Sequence, residues 1–441
     1  MTYSRDVQEA SIQPAGHSLT ERRPAIDLAR TAALAMVVLG HLSLAVIDRG
    51  PDDTLRGTNL LSLYPRWAWL TVIAPMPVFF AAAGWANTTA TVRSSAPRLR
   101  AMVGVAAVVV SVWSLAAMAA LLSGGGDGGG GGGGGVVVDG ARLATQPLWF
   151  IGAYVPLAAV GGRLAQLATR PALAVGTCLA VLAGLDLARF SFDAPRAIGW
   201  PGFAAAWAVP WLVGAWWRVA RASPRFNERR TGALLALVAI ITAATLVRFA
   251  GYNAALIDAV KGQRSNTTPP TLYTAVVALA QVGVLMVVAS FLDRIGARLR
   301  HLLSRAGQAA VGVYVWHLTA LALCAAVLAA GFGAPTRFSV AWWLSRPLWF
   351  GAVLVITTGL VAATNTARRR LVKRTRSSAT QGRFAELRQP FGVALSTAGA
   401  AIVGLIGPRT LPAAITATVC FVAGWWLLGS SITSQPQASS E

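Results

Sequence analysis

Three residues in one apolar stretch carry the chemistry to be explained: Asp27, Arg30 and His41 of Asp27-Leu-Ala-Arg30-Thr-Ala-Ala-Leu-Ala-Met-Val-Val-Leu-Gly-His41. A histidine titrates near neutrality and so takes a proton from a hydroxyl at working pH. An arginine keeps its charge and grips phosphate through forked hydrogen bonds. His41 follows Arg30 by 11 residues. On an α-helix that is three turns plus about 20°, so both side chains share one face, roughly 16 Å apart along it. Asp27 lies one turn before Arg30 on nearly the same side. It reads as a salt-bridge partner for Arg30 or as a helix N-terminal carboxylate complementing the dipole. Ionisable groups inside a membrane span are costly and face a bundle interior, which makes this face the candidate site. Plainer readings exist: a histidine bonded to a neighbouring helix, and an arginine snorkelling to the interface.

The elements that must position these residues are apolar helices. Of 441 residues 55% are hydrophobic and 12% charged, with mean hydropathy +0.58. Soluble domains carry about 25% charged residues. The expected fold is all-α: a polytopic membrane bundle of ten core spans plus one or two C-terminal spans. With about 20 apolar residues per span, the core spans fall at 26–47, 67–90, 101–122, 147–166, 171–188, 199–219, 231–250, 271–292, 307–330 and 343–365. The core thus covers 26–365, after a cytoplasmic segment 1–25 and before a basic cytoplasmic linker 366–390. Residues 391–429 read as one broken span or a hairpin split at Gly407-Pro408-Arg409, and 430–441 as a polar disordered tail. Residues 1–23 lack the apolar region and cleavage site of a secretory signal, so the first span is expected to stay uncleaved.

The net charge of +22 is placed by topology. Sorted by loop, 25 of the 38 Lys and Arg lie on the N-terminal side and 10 on the other. That asymmetry puts the N-terminus in the cytoplasm of a multi-pass cell-membrane protein. It excludes nucleic acid as the partner the charge serves, and leaves a secondary contact with anionic membrane lipids. The glycine-rich run 123–140, with Asp127 and Asp139, reads as a flexible extracytoplasmic loop without a packed element. No Gly-Lys-Ser/Thr follows it, so it is not a phosphate loop. Cys178, Cys324 and Cys420 all lie in apolar segments and read as buried thiols. Neither His-x-x-x-His, Cys-x-x-Cys nor Glu-x-x-His occurs, so no metal site is expected.

The first-span pattern, Asp-x-x-Arg followed by ten residues and His, resembles the membrane acyltransferase-3 family. Phe79-Phe80-Ala-Ala-Ala-Gly84 is similar to the family's Phe-Phe-x-x-Ser-Gly element, with Ala83 in place of Ser. Leu148-Trp149-Phe150 resembles its Leu-Trp-Phe element, and Tyr314-Val-Trp-His317 its Tyr-Leu-x-His element. All four occur in the family's order. The resemblance implies an O-acyltransferase that moves an acyl group, such as acetyl, from acyl-CoA to a hydroxyl of a saccharide or lipid-linked acceptor of the cell envelope. No resident cofactor is implied, because acyl-CoA is a co-substrate. His41 is then the base. Arg30, oriented by Asp27, holds donor phosphates from the cytoplasmic end. Arg93, Arg98 and Arg100, in the short loop between spans 2 and 3, either join it or set topology. Trp149 and Trp316 line the cavity or anchor span ends, and His317 is a supporting polar group. Asn266-Thr-Thr-Pro-Pro-Thr271 reads as the cap of span 8, on the side where an acceptor arrives. The rival reading is a transporter or flippase in which Arg30 and His41 bind or relay ions without covalent chemistry.

Overall fold

The computed structural model describes residues 23–49, 55–123, 133–257, 264–294, 296–328, 335–375 and 385–429. The chain is helical almost throughout. α1 (Pro24–Leu44) opens with a proline, whose missing N–H costs nothing at a helix start. Strands β1 (Ala45–Arg49) and β2 (Leu55–Asn59) then form an antiparallel hairpin pairing Ala45 with Asn59. α2 (Leu60–Leu63), a 3-10 helix over Pro65–Ile73 and α3 (Met76–Ala86) lead back into the bundle. α4 (Val92–Leu122), α5 (Gly133–Thr145), α6 (Trp149–Ala159), α7 (Gly161–Leu167), α8 (Pro171–Ser191) and α9 (Gly202–Ala220) follow. α10 (Glu228–Phe249), α11 (Leu272–Leu292), α12 (Ala297–Val327), α13 (Val340–Thr375), α14 (Ala385–Leu405) and α15 (Leu411–Leu427) complete the chain.

Among the described residues, eight helices are long and apolar enough to cross a membrane. The count is nine if Gly135–Ala159 and Gly161–Leu167, bent by 71°, form one broken span. The chain is therefore a multi-pass membrane protein, with fewer such helices than the ten expected spans and their additions. The expected span 67–90 is among the eight, as Pro65–Ala86, but its helix is broken: Ala74 and Pro75 separate the 3-10 helix from α3. Backbone carbonyls freed within a bilayer need partners, and Gln281 of α11 supplies them, donating its amide to Val72 O at 2.6 Å and Ala74 O at 3.0 Å. The expected span 199–219 is α9, whose tryptophans and Pro210 lower its hydropathy although Trp211 and Trp217 are fully buried. The segment 391–429 is an antiparallel helix hairpin, α14 against α15, turning at Gly407 with φ +68°. α15 has 17 residues.

One further expectation is corrected. The glycine run is not without packed structure: from Gly133 onward it is the start of α5. Val137, Val138, Ala141 and Ala144 follow those glycines, and Ala141 and Ala144 are fully buried. α5 packs on α4 and α12, so burial outweighs the roughly 1 kcal/mol that each helical glycine costs. Residues 124–132 lie outside the described residues, as do the tail 430–441 and most of segment 1–25. The expected linker 366–390 is also partly helical, since α13 continues to Thr375 and α14 starts at Ala385. The three cysteines are free thiols, Cys324 and Cys420 buried and Cys178 half-buried.

Three devices lock the bundle around α1. Arg23 is the residue before α1, with only 5% of its side chain exposed. It is paired with Glu228 of α10 at 2.6 Å and Asp293 beyond α11 at 2.8 Å, and its guanidinium lies over Trp85 and Trp217. Asp293 also accepts from the Ala25 N–H at 3.0 Å, which caps the helix start. The second device is the crossing of α3 and α9. A Cβ at Gly84 would fall on the Trp211 carbonyl, and one at Gly214 on the Ala81 carbonyl, so the two backbones touch and only glycine fits either position. The third sits at the opposite end from Arg23. Asp186 of α8, 2% exposed, accepts from the Leu272 N–H at 2.7 Å and the Tyr252 hydroxyl at 2.9 Å. The expected cap of α11 by its own Thr271 is thus replaced by a carboxylate from another helix, the favoured charge at a helix N-terminus. Thr271 instead donates to Asn266 Oδ1 at 3.0 Å. Burial, first, and the Asp186 charge push the Tyr252 hydroxyl pKa well up, so it remains a donor.

Candidate functional site

α1 and α12 pack side by side and bring the chain's two core histidines together. His41 Nδ1 and His317 Nε2 are 2.8 Å apart, with the rings stacked at 5.1 Å and 9°. His317 is fully buried, and its Nδ1 lies 2.6 Å from the Tyr314 carbonyl. That carbonyl only accepts, so the network assigns the proton to His317 Nδ1. Neutral His317 then accepts at Nε2, and His41 must donate from Nδ1. The lone pair left over is on His41 Nε2, for which no described residue supplies a hydrogen bond. One ring orients the other, and the outer one faces partly out of the packed core with a basic nitrogen. His317 is therefore a direct partner of His41, closer than a background polar group.

The same architecture gathers the other sequence elements around this pair. The Tyr314 hydroxyl donates to the Pro147 carbonyl at 3.1 Å, tying α12 to the turn that precedes Trp149 and Phe150. Phe150 packs on Tyr314 at 5.2 Å, on Phe79 at 4.9 Å and on Phe80 at 5.5 Å. Trp149 packs on Trp207 at 5.1 Å and against Gly404 of α14, so it lies inside the bundle rather than at a span end. Trp316 is buried, with its Nε1 unpaired. Ala83 is buried, and its carbonyl accepts from the Asn87 side chain at 2.8 Å.

Arg30 pairs with Asp27 at 3.6 Å, and both side chains are about one-third exposed, 37% and 34%. Arg30 also lies over Gly307 of α12, where a Cβ would meet its Nη2 at 3.2 Å. Tyr154 was not singled out by the sequence reading. Its hydroxyl is within electrostatic range of both Arg30 and Arg98 and lies near the Asn87 side chain. Its ring packs on Phe79 at 5.9 Å and Phe150 at 5.3 Å. Asp27, Arg30, Arg98, Asn87 and Tyr154 thus make a polar group toward the Arg23 end of the bundle, below the histidines and joined to them by the aromatic cluster. Arg100 points elsewhere: it donates to the Gly429 carbonyl at 3.3 Å and lies over Trp425 at 5.1 Å, so it packs α4 on α15. Only a long-range signal would have found Tyr154, because nothing in its local sequence departs from an apolar helix. Among the described residues, no group of three or more His, Cys, Asp or Glu has the arrangement to hold a metal.

A multi-span helical bundle with a hydrogen-bonded imidazole pair in its core defines the class as a membrane-embedded helical protein. The chain belongs to the acyltransferase-3 family: the family model, described as an acyltransferase domain, matches residues 23–366. It is thus a membrane acyltransferase. The matched region begins at Arg23, the anchor of α1, and ends where the tenth expected span ends. No curated protein and no solved structure matches the chain.

Proposed function

We infer that the protein transfers an acyl group, such as acetyl, from acyl-CoA to a hydroxyl of a saccharide or lipid-linked acceptor of the cell envelope. The N-terminus and the Arg30 end face the cytoplasm, where the donor is made. The observation that carries this reading is the Tyr314 carbonyl–His317–His41 chain, which leaves one basic nitrogen in the bundle core. His41 Nε2 takes the proton of the acceptor hydroxyl as its oxygen attacks the thioester carbonyl. The imidazolium is stabilised because His41 Nδ1–H still donates to His317. When the tetrahedral intermediate collapses, the C–S bond breaks and the proton passes from Nε2 to the departing CoA sulfur. The ester is formed and the histidine regenerated. Arg30 and Arg98, on the cytoplasmic side of Tyr154, bind donor phosphates. The roughly 16 Å from Arg30 to His41 is filled by the extended pantetheine arm. Trp149 shapes the wall of this passage through the aromatic cluster, and Asp27 orients Arg30.

Substitutions at the two ends should fail differently. His41→Ala should keep acyl-CoA binding and lose turnover by about 10²–10⁴, the usual worth of a general base. Arg30→Ala should weaken donor binding, and Arg30→Lys should restore it only in part, because lysine lacks the forked geometry. Both are measured as CoA binding and acyl-CoA turnover in nanodiscs. Full turnover by His41→Ala, or parental CoA affinity in Arg30→Ala, overturns the assignment.

A further inference from the structure

The far end of the bundle holds a half-buried cation that the donor site leaves unexplained. Arg346 lies on α13, and its Nε and Nη1 are buried with no hydrogen-bond partner. Its Cζ lies over Trp342, 4.1 Å from the ring centroid, and over Trp349 at 5.8 Å. Trp342 is 4% exposed, and the three residues recur at one helix face, four and three residues apart. Guanidinium N–H groups shielded from water without an acceptor are unfavourable. Such a side chain on a span flank would ordinarily extend to the interface. Here the two tryptophans hold it in place, and cation–π attraction covers its face while leaving donor N–H groups unmet.

Its position relative to the histidines follows from packing. Leu42, next to His41, and Leu318, next to His317, share one apolar cluster with Val353 of α13, and Trp349 packs against that cluster. α13 runs opposite to α1, so Arg346, seven residues before Val353, lies about 10 Å beyond that level, away from Arg30. The arrangement along the bundle is thus Arg30 and Arg98, then the histidine pair, then Arg346. Donor phosphates account for the first two cations, and the reacting bond lies at the pair. The third faces the side from which the other substrate must come.

We propose that Arg346, beside Trp342 and Trp349, binds an oxyanion, phosphate or carboxylate, carried by the acceptor. The acceptor class is therefore an anionic saccharide or a phosphate-linked one, which the site distinguishes from a neutral sugar of the same size. This assignment rests on the acyl-transfer reading for the word acceptor, whereas the anion site itself does not. A bilayer phospholipid headgroup carries the same chemistry, and the experiment separates the two sources.

The probe is glucose 1-phosphate, with glucose as the uncharged control. Binding is measured by saturation-transfer NMR on the full chain in nanodiscs of phosphatidylcholine and, separately, of phosphatidylglycerol. The parent should bind glucose 1-phosphate in both lipids and glucose in neither. Arg346→Gln should raise the dissociation constant at least about tenfold, as expected for one lost charge-assisted contact, while Arg346→Lys falls between. CoA binding by the same variants verifies that they are folded. Equal affinity of Arg346→Gln and parent overturns the proposal, as does a parent that binds neither probe. If phosphatidylglycerol abolishes binding by the parent, the guanidinium serves lipid headgroups and the acceptor assignment falls. A parent that binds glucose 1-phosphate through Arg346 yet never turns over acyl-CoA leaves the anion site standing and retires the acyl-transfer reading alone.

Discussion

His41 and His317 lie 276 positions apart in the chain and are joined by one hydrogen bond. Each alone is a histidine in an apolar helix. Together with the Tyr314 carbonyl they define which nitrogen carries the lone pair. His317→Gln should therefore lower turnover about tenfold, the worth of one charge-assisted hydrogen bond, with CoA affinity unchanged. A fall in affinity without a fall in maximal rate would place His317 in donor binding instead. Tyr154→Phe tests the other end. Removing the hydroxyl that faces Arg30 and Arg98 should weaken CoA binding by a few-fold without lowering the saturated rate, readable from titration and kinetics on one preparation.

The helices set these distances, and the contacts that set the helices are few. The α3–α9 crossing depends on Gly84 and Gly214, whose missing side chains let carbonyls of the facing helix approach. Either glycine changed to Leu should push the helices apart and lower stability by about 1–3 kcal/mol or more, the range for overpacking. A thermal melt reads this as a lower midpoint. Since α3 carries Phe79 and Phe80, turnover should fall with it. Asp186 makes a sharper case. Asp186→Ala leaves the Leu272 N–H and the Tyr252 hydroxyl without their acceptor, at about 1–3 kcal/mol for each buried group left unpaired. Asp186→Asn keeps an acceptor oxygen and should melt closer to the parent. If the two variants melt together, the carboxylate is not what holds the start of α11.

On the scale of the whole molecule, Arg23 joins the starts of α1 and α10 to the end of α11 beneath two tryptophans. Arg23→Ala leaves Glu228 and Asp293 without their cation and should destabilise the fold by about 3–5 kcal/mol. The loss should appear as a melting shift together with reduced turnover, because α1 carries His41, the proposed base. The charge asymmetry of 25 against 10 predicts that Arg23 faces the cytoplasm. In a cysteine-free background, a membrane-impermeant reagent applied to intact cells should label Ser191→Cys and spare Ser223→Cys, both exposed positions at opposite ends of the bundle. The reverse pattern would invert the orientation.

Asp27, Arg30 and His41 were legible in the sequence because helical geometry is local: their spacing alone places them on one face. The membrane class was equally legible, since hydropathy and charge are additive along a chain. The break at Pro75 and the burial of α9 were not, because each depends on what a neighbouring helix offers, a glutamine amide in one case and an aromatic cluster in the other. The glycines at the start of α5 read as a loop because intrinsic propensity disfavours them in a helix, and only contact with α4 and α12 reverses that preference. Arg23, Tyr154, Asp186 and Arg346 carry no local sequence signal that sets them apart. Their partners, or for Arg346 the want of one, lie on other helices or emerge only once the helices are packed. The sequence by itself thus determined the class of protein and the shared face of α1 on which Arg30 and His41 lie. The tertiary structure alone decided which histidine orients the other and which cations remain unpaired, because hydrogen bonds and desolvation are set by atoms brought together from distant parts of the chain.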